Sequence, residues 1–246
     1  MGARGVGRIQ QLLDEAQDGQ AFAHLARAFH LPAEKVQPAV AAMVADLIEQ
    51  VTSCMGSKRS LAGLVELLGK NIHLQVLDNP IMLGATSTQV AGNKVLNVIA
   101  GRSSADRMAK HAAAAAGISE MISEYLLPVV ASMLAGALAK ENRAQLDAIL
   151  GGDIGPADGE AAEMLQLPRA SGGGANFAGI TSGTVAGANS TESRYSELAE
   201  KIRRGDTSDP ADEVRSILAA TLGTAGGEPP GTSTGAIRSL FTGWRR

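Results

Sequence analysis

Apolar residues recur three and four positions apart through residues 1–150, which is the spacing of a helix face. Ile9, Leu12, Leu13 and Ala16 form a first stripe that Gly19 closes. Phe22, Leu25, Ala26 and Phe29 form a second, and Leu31-Pro32 restarts the chain. Val36, Val40, Met43, Val44, Leu47, Ile48 and Val51 predict a long helix, bent or restarted at Pro38. Ser60 is placed to cap a short helix through Leu61, Leu64, Val65 and Leu68, ending at Gly69. Residues 70–90 are less regular, and the alternation around His73 and Gln75 suggests a short extended piece. Beyond it, Gly92–Ala100 reads as a short helix. Ser103 and Asp106 have capping-box spacing at the start of a helix over Ala105–Ala116, which Gly117 ends. Ser119 then caps a segment bearing Met121, Ile122, Tyr125 and Leu126, and Pro128 suits the first turn of a further helix, Val129–Lys140.

Two stretches align. Gln37-Pro38-Ala39-Val40-Ala41-Ala42-Met43-Val44-Ala45 matches Leu127-Pro128-Val129-Val130-Ala131-Ser132-Met133-Leu134-Ala135. The distance from turn to proline differs by three residues, about one helical turn. The expectation is a duplicated helix–turn–helix unit.

The pattern then breaks. Residues 151–192 hold ten glycines, including Gly172-Gly173-Gly174, among small polar residues, and read as a flexible linker. Tyr195, Leu198, Ala199 and Ile202 mark one short helix over Ser193–Arg204. Val214, Ile217, Leu218 and Leu222 mark another, opened by Asp209-Pro210 and closed at Gly223. The expected organisation is a helical domain at 1–150, a linker at 151–192, two short helices within 193–223, and a linker with a terminal peptide at 224–246. The fold class is all-α, a compact multi-helix domain.

Composition agrees: 45% of residues are apolar but only 3% aromatic, so the core is built of aliphatic side chains suited to close helix packing. Residues 1–150 carry 13 Lys/Arg and 13 Asp/Glu, a net charge of zero. Nucleic-acid binding draws on a basic face, which argues against that partner class. The single cysteine, Cys54, excludes a disulfide framework within the chain and fits a reducing compartment. With no apolar signal core at the N-terminus, the expected location is the cytoplasm. The longest apolar run, Leu126–Ala139, falls short of the ~20 residues that a membrane span needs, so it reads as a buried core helix.

The stretch Gly92-Asn93-Lys94-Val95-Leu96-Asn97-Val98-Ile99-Ala100-Gly101, followed by Gly117-Ile118-Ser119 and then Leu126-Leu127-Pro128 through Met133-Leu134-Ala135-Gly136-Ala137-Leu138, resembles the YidB-like bacterial family, domain of unknown function 937. The resemblance covers roughly residues 20–140. It implies a helical, homeodomain-like fold and carries no catalytic residues with it.

Candidate chemistry is sparse. The corner Ala112–Ala116, Gly117-Ile118-Ser119, Met121-Ile122-Ser123 is similar to the helix-turn-helix of bacterial repressors, which would lay residues 119–126 in the major groove. Glu120, Ser123 and Glu124 would face the phosphates there, so a tight corner inside a bundle is the better account. Arg102, Arg107 and Lys110 lie among acids and read as a solvated mixed face. Lys58-Arg59 is an isolated pair. His24, His30, His73 and His111 show no metal-ligand spacing, and Cys54 has no motif partner. No metal, no cofactor and no enzymatic activity are expected. The small faces of the Ala-rich helices suit close packing, with homo-oligomer formation as the second reading.

The terminal peptide is different. Ile237, Leu240, Phe241 and Trp244 fall at i, i+3, i+4 and i+7, with Arg238, Arg245 and Arg246 around them. One such turn cannot bury its own aromatic face. It folds back on the helical domain, docks in a partner's groove, or touches an anionic membrane surface. The functional expectation is an interaction or scaffold module that recruits a protein through Ile237, Leu240, Phe241, Trp244, Arg245 and Arg246. The alternative is a DNA-associated protein using residues 105–126.

Overall fold

The computed structural model describes residues 3–151, 182–205 and 210–223; all of them lie in helices, in one 3₁₀ turn, or in the short links between these. The helices are α1 (Ala3–Gly19), α2 (Ala21–Ala28), α3 (Ala33–Cys54), α4 (Lys58–Leu68), α5 (Asn71–Asp78), α6 (Thr86–Ile99), α7 (Arg102–Ala116), α8 (Glu120–Gly151), α9 (Ser182–Arg204) and α10 (Ala211–Leu222), with a 3₁₀ turn at Pro80–Gly84. No strand occurs among the described residues. The all-α expectation holds.

The organising element is α8. From Leu126 to Ala139 it is buried without a break, on every side. Helix α8 is long and apolar enough to cross a membrane, yet most of its apolar span is covered by other helices. Such all-round burial requires neighbours on every face, and α3, α5, α6 and α7 supply them, joined by α1 and α10. Two glycines set the closest approaches. A Cβ on Gly92 would lie 1.8 Å from the Pro128 carbonyl oxygen, and one on Gly136 would lie 2.2 Å from the His73 carbonyl oxygen. Only glycine lets α6 and α5 cross α8 at that range. Gly92, Pro128 and Gly136 of the family-like motif therefore lie at helix crossings.

Several local expectations are corrected. Pro128 does not begin a helix; it lies inside α8. It deprives the Glu124 carbonyl of its usual helix donor, and the packing of the buried stretch outweighs that loss. One residue on, the Tyr125 carbonyl accepts Gln89 Nε2 at 2.8 Å. Residues 71–78 are helical rather than extended, because His73, Val76 and Leu77 bury one face at i, i+3 and i+4. Helix α6 starts six residues earlier than expected, at Thr86. Ser103 and Asp106 form no capping box; α7 begins at Arg102 behind Gly101, whose φ is +71°. The cap of α4 is Ser57, whose hydroxyl accepts from the Ser60 amide at 3.5 Å.

The larger correction concerns residues 182–223. Helix α9 begins at Ser182, inside the stretch expected as linker, and the boundary at 150 does not delimit the core. Tyr195, Leu198, Ala199, Ile202, Ala211, Val214, Leu218 and Leu222 are all buried in the same apolar cluster as α1 to α8. Helix α9 lies along α4, where Tyr195 packs against Gly69. Its Arg203 reaches Glu66 at 2.7 Å. Glu192 pairs with Lys70 at 3.2 Å and accepts the Asn71 amide at 3.4 Å, covering a donor at the uncapped start of α5. From α10, Arg215 donates to the Met55 carbonyl at the end of α3 at 2.9 Å, and Thr221 donates to the buried Asn142.

The two aligned segments adopt matching corners. His30 (φ +52°) and Gly117 (φ +62°) are both left-handed. The next residue in each, Leu31 and Ile118, donates back five positions, to Ala26 and Ala113, at 2.8 and 3.1 Å. Both apolar residues pack against the core. The following helix starts three residues after the left-handed residue in both cases. Pro128 then lies about one helical turn farther from its corner than Pro38 does from its own, the offset read in the sequence.

A candidate docking surface at the start of the central helix

The residues expected to bind a partner, Ile237, Leu240, Phe241, Trp244, Arg245 and Arg246, lie outside the described residues. The other sequence candidate, the corner at Gly117, is well defined. Ser119 Oγ accepts the Ile122 amide at 3.3 Å, capping α8 as expected. What the first two turns of α8 display is not what the sequence suggested. Ser123 faces inward, fully buried, and donates to the Ala109 carbonyl at 2.7 Å. Met121 and Tyr125, expected on the apolar stripe, are instead 68% and 62% exposed. Glu120 and Glu124 stand beside them, also exposed.

The reason is a shift in phase. The inward positions are Ser123, Leu126, Leu127 and Val130, at i, i+3, i+4 and i+7. A serine can take an inward position on a helix when a neighbouring carbonyl accepts its hydroxyl. With Ser123, Leu126, Leu127 and Val130 inward, Met121 and Tyr125 stand outward. The clue in the sequence was the run Leu126-Leu127-Val130, which extrapolates back to Ser123. The result is a narrow surface with two large apolar side chains flanked on one side by two carboxylates.

The remaining chemical candidates lie elsewhere. His73 Nδ1 and Ser132 Oγ are 2.8 Å apart where α5 crosses α8, but both side chains are buried. Burial lowers the His73 pKa to about 4, so the ring is a neutral hydrogen-bonding partner. Cys54 is buried and its thiol is pushed up to about 11, well away from a reactive thiolate. His111 Nδ1 meets Asp46 at 2.7 Å across α7 and α3, as an exposed pair. Arg107 is engaged with Ser104 on its own helix at 3.0 Å. Among the described residues, no three His, Cys, Asp or Glu side chains converge as metal ligands.

A cleft of about 270 Å³ opens where α1 breaks, lined by Glu15, Gln17, Asp18, Asp78 and Lys140 with Leu12, Ala16 and Leu77. Gln17 and Asp18 both have positive φ there, 55° and 58°. Gln17 holds the break by donating to the Val76 carbonyl at 2.9 Å and meeting His24 Nδ1 at 2.7 Å. The cleft walls carry no serine, cysteine or histidine. Its side chains explain the kink.

A family profile described as bacterial protein of unknown function (DUF937) matches residues 11–141. No curated protein and no solved structure matches the chain.

Proposed function

The chain belongs to the DUF937 family of bacterial proteins of unknown function, and from that premise we propose a non-enzymatic helical interaction module that recruits a protein partner through its C-terminal segment. The observation that favours a protein over a nucleic acid as partner is the start of α8. The turns that a DNA-binding corner would lay in a groove present Met121, Tyr125, Glu120 and Glu124. Carboxylates repel phosphate, and large exposed apolar side chains are what protein partners cover. The sealed positions of Cys54 and of the His73–Ser132 pair speak against nucleophilic catalysis.

The test compares protein capture by the intact chain and by a chain with Phe241 and Trp244 replaced by alanine. Partners held by the intact chain and lost by the variant support the reading, since buried aromatic anchors carry most interface energy. Unchanged capture overturns it. In parallel, duplex DNA should bind no tighter than a Kd of about 10⁻⁴ M at physiological salt. Tight, sequence-specific binding that is lost when Ser119 is changed would install the DNA-associated reading instead.

A further inference from the structure

We propose that segment 237–246 docks on the first two turns of α8 in its own chain, masking the recruiting residues until a partner displaces it. This rests on the reading that the segment is the recruiting element. Two patterns fit each other. On α8, at about 100° per residue, Glu120 and Glu124 occupy one flank of an arc and Met121 and Tyr125 the other. Neither carboxylate forms an ion pair with a described residue. In the segment, wound as a helix, Ile237, Leu240, Phe241 and Trp244 form one stripe, with Arg238 and Arg245 together on a single flank. The charged flanks lie on opposite sides of their apolar stripes, clockwise in one and anticlockwise in the other. A parallel alignment therefore puts Arg238 and Arg245 on the same side of the pairing as Glu120 and Glu124 while the apolar stripes meet.

Reach and size favour the chain's own segment as occupant. Ile237 lies fourteen positions beyond Gly223, about 46–50 Å at full extension. A compact unit of roughly 190 residues has a radius of gyration of about 16 Å, so the tether spans a distance comparable to the body's diameter. Two exposed apolar side chains suit an occupant that a partner can later displace. Tethering raises the effective concentration to the millimolar range, where so small a surface suffices.

Trp244 is the sole tryptophan, so its fluorescence reads the docking directly in the full chain. The expected result for the isolated protein is blue-shifted emission with resistance to acrylamide quenching, independent of protein concentration. Two variants, Met121→Ser with Tyr125→Ser, and Glu120→Arg with Glu124→Arg, should each shift the emission to the red and raise quenching several-fold. All four positions are exposed, so far-ultraviolet circular dichroism should not change. Adding Arg238→Glu and Arg245→Glu to the second variant should restore protection. Exposed Trp244 in the unaltered protein overturns the proposal. So does protection that survives both variants, which means docking elsewhere, or protection that grows with concentration, which means a second copy. Capture lost on Phe241 and Trp244 replacement, with Trp244 always exposed, sinks the docking alone; unchanged capture sinks the recruiting role.

Discussion

Met121 and Met133 sit a little over three turns apart on one helix, and the first is 68% exposed while the second is 1% exposed. The residues are alike, so the difference lies in what surrounds them. Around Met133, α8 is enclosed on all faces by helices brought close at Gly92 and Gly136. Around Met121, α8 has just left the corner at Gly117 and, among the described residues, has neighbours on one side only. The same side chain contributes stability in one place and offers contact in the other. Sequence changes in the two stretches should therefore separate cleanly into folding and binding effects.

The largest expected effect is Gly92→Ala. The new methyl would overlap the Pro128 carbonyl, and backbone at a helix crossing cannot yield cheaply, so the loss should be about 3 kcal/mol or more in chemical denaturation. A loss near zero would mean that α6 does not cross α8 there. Next come Leu134→Ala and Leu198→Ala, each expected to cost about 2–5 kcal/mol. The pair extends the comparison beyond α8, because Leu198 lies on α9. If only Leu134→Ala lowers the melting temperature, α9 is not part of the core.

A smaller effect depends on pH. Burial holds His73 at about 4 against an ordinary 6.5, so the folded form binds the proton less readily than the unfolded chain. Its contribution is complete above about pH 6.5, declines as the pH falls, and is exhausted below about 4. The change over that window is about 3 kcal/mol at most. In His73→Asn, urea midpoints measured across the window should decline less steeply than in the unaltered protein. Parallel decline in the two proteins would show that His73 is solvated. Last, in a chain already carrying Phe241→Ala and Trp244→Ala, Met121→Ser and Tyr125→Ser should each shift stability by no more than about 0.5 kcal/mol, as exposed positions do. A larger loss would place these side chains in the core and erase the contrast.

Much of the fold was legible because aliphatic spacing and left-handed glycines act locally. The stripe Val36 to Val51, the stop at Gly117 and the core run from Leu126 to Ala139 each follow from a few neighbouring residues. The continuity of α8 through Pro128 was not legible, since a proline's local cost is outweighed only by packing from distant helices. Nor was the seating of α9 and α10, whose buried faces read equally well as short helices tethered to a separate domain. The docking surface turned on Ser123, a polar residue whose inward position depends on the Ala109 carbonyl of the preceding helix. Amphipathic pattern alone places methionine and tyrosine inside and serine outside.

Because α9 and α10 complete the apolar cluster, a nascent chain cannot close its core when residue 150 leaves the ribosome. At about 5–20 residues per second, the stretch from there to Leu222 takes about 4–14 s to synthesise. During that interval the grooves along α4 and beside α1 and α8 face solvent as open apolar surface. A gene fragment that stops at residue 150 stays in this condition permanently. Such a fragment should associate with chaperones or itself, whereas one reaching residue 223 should not.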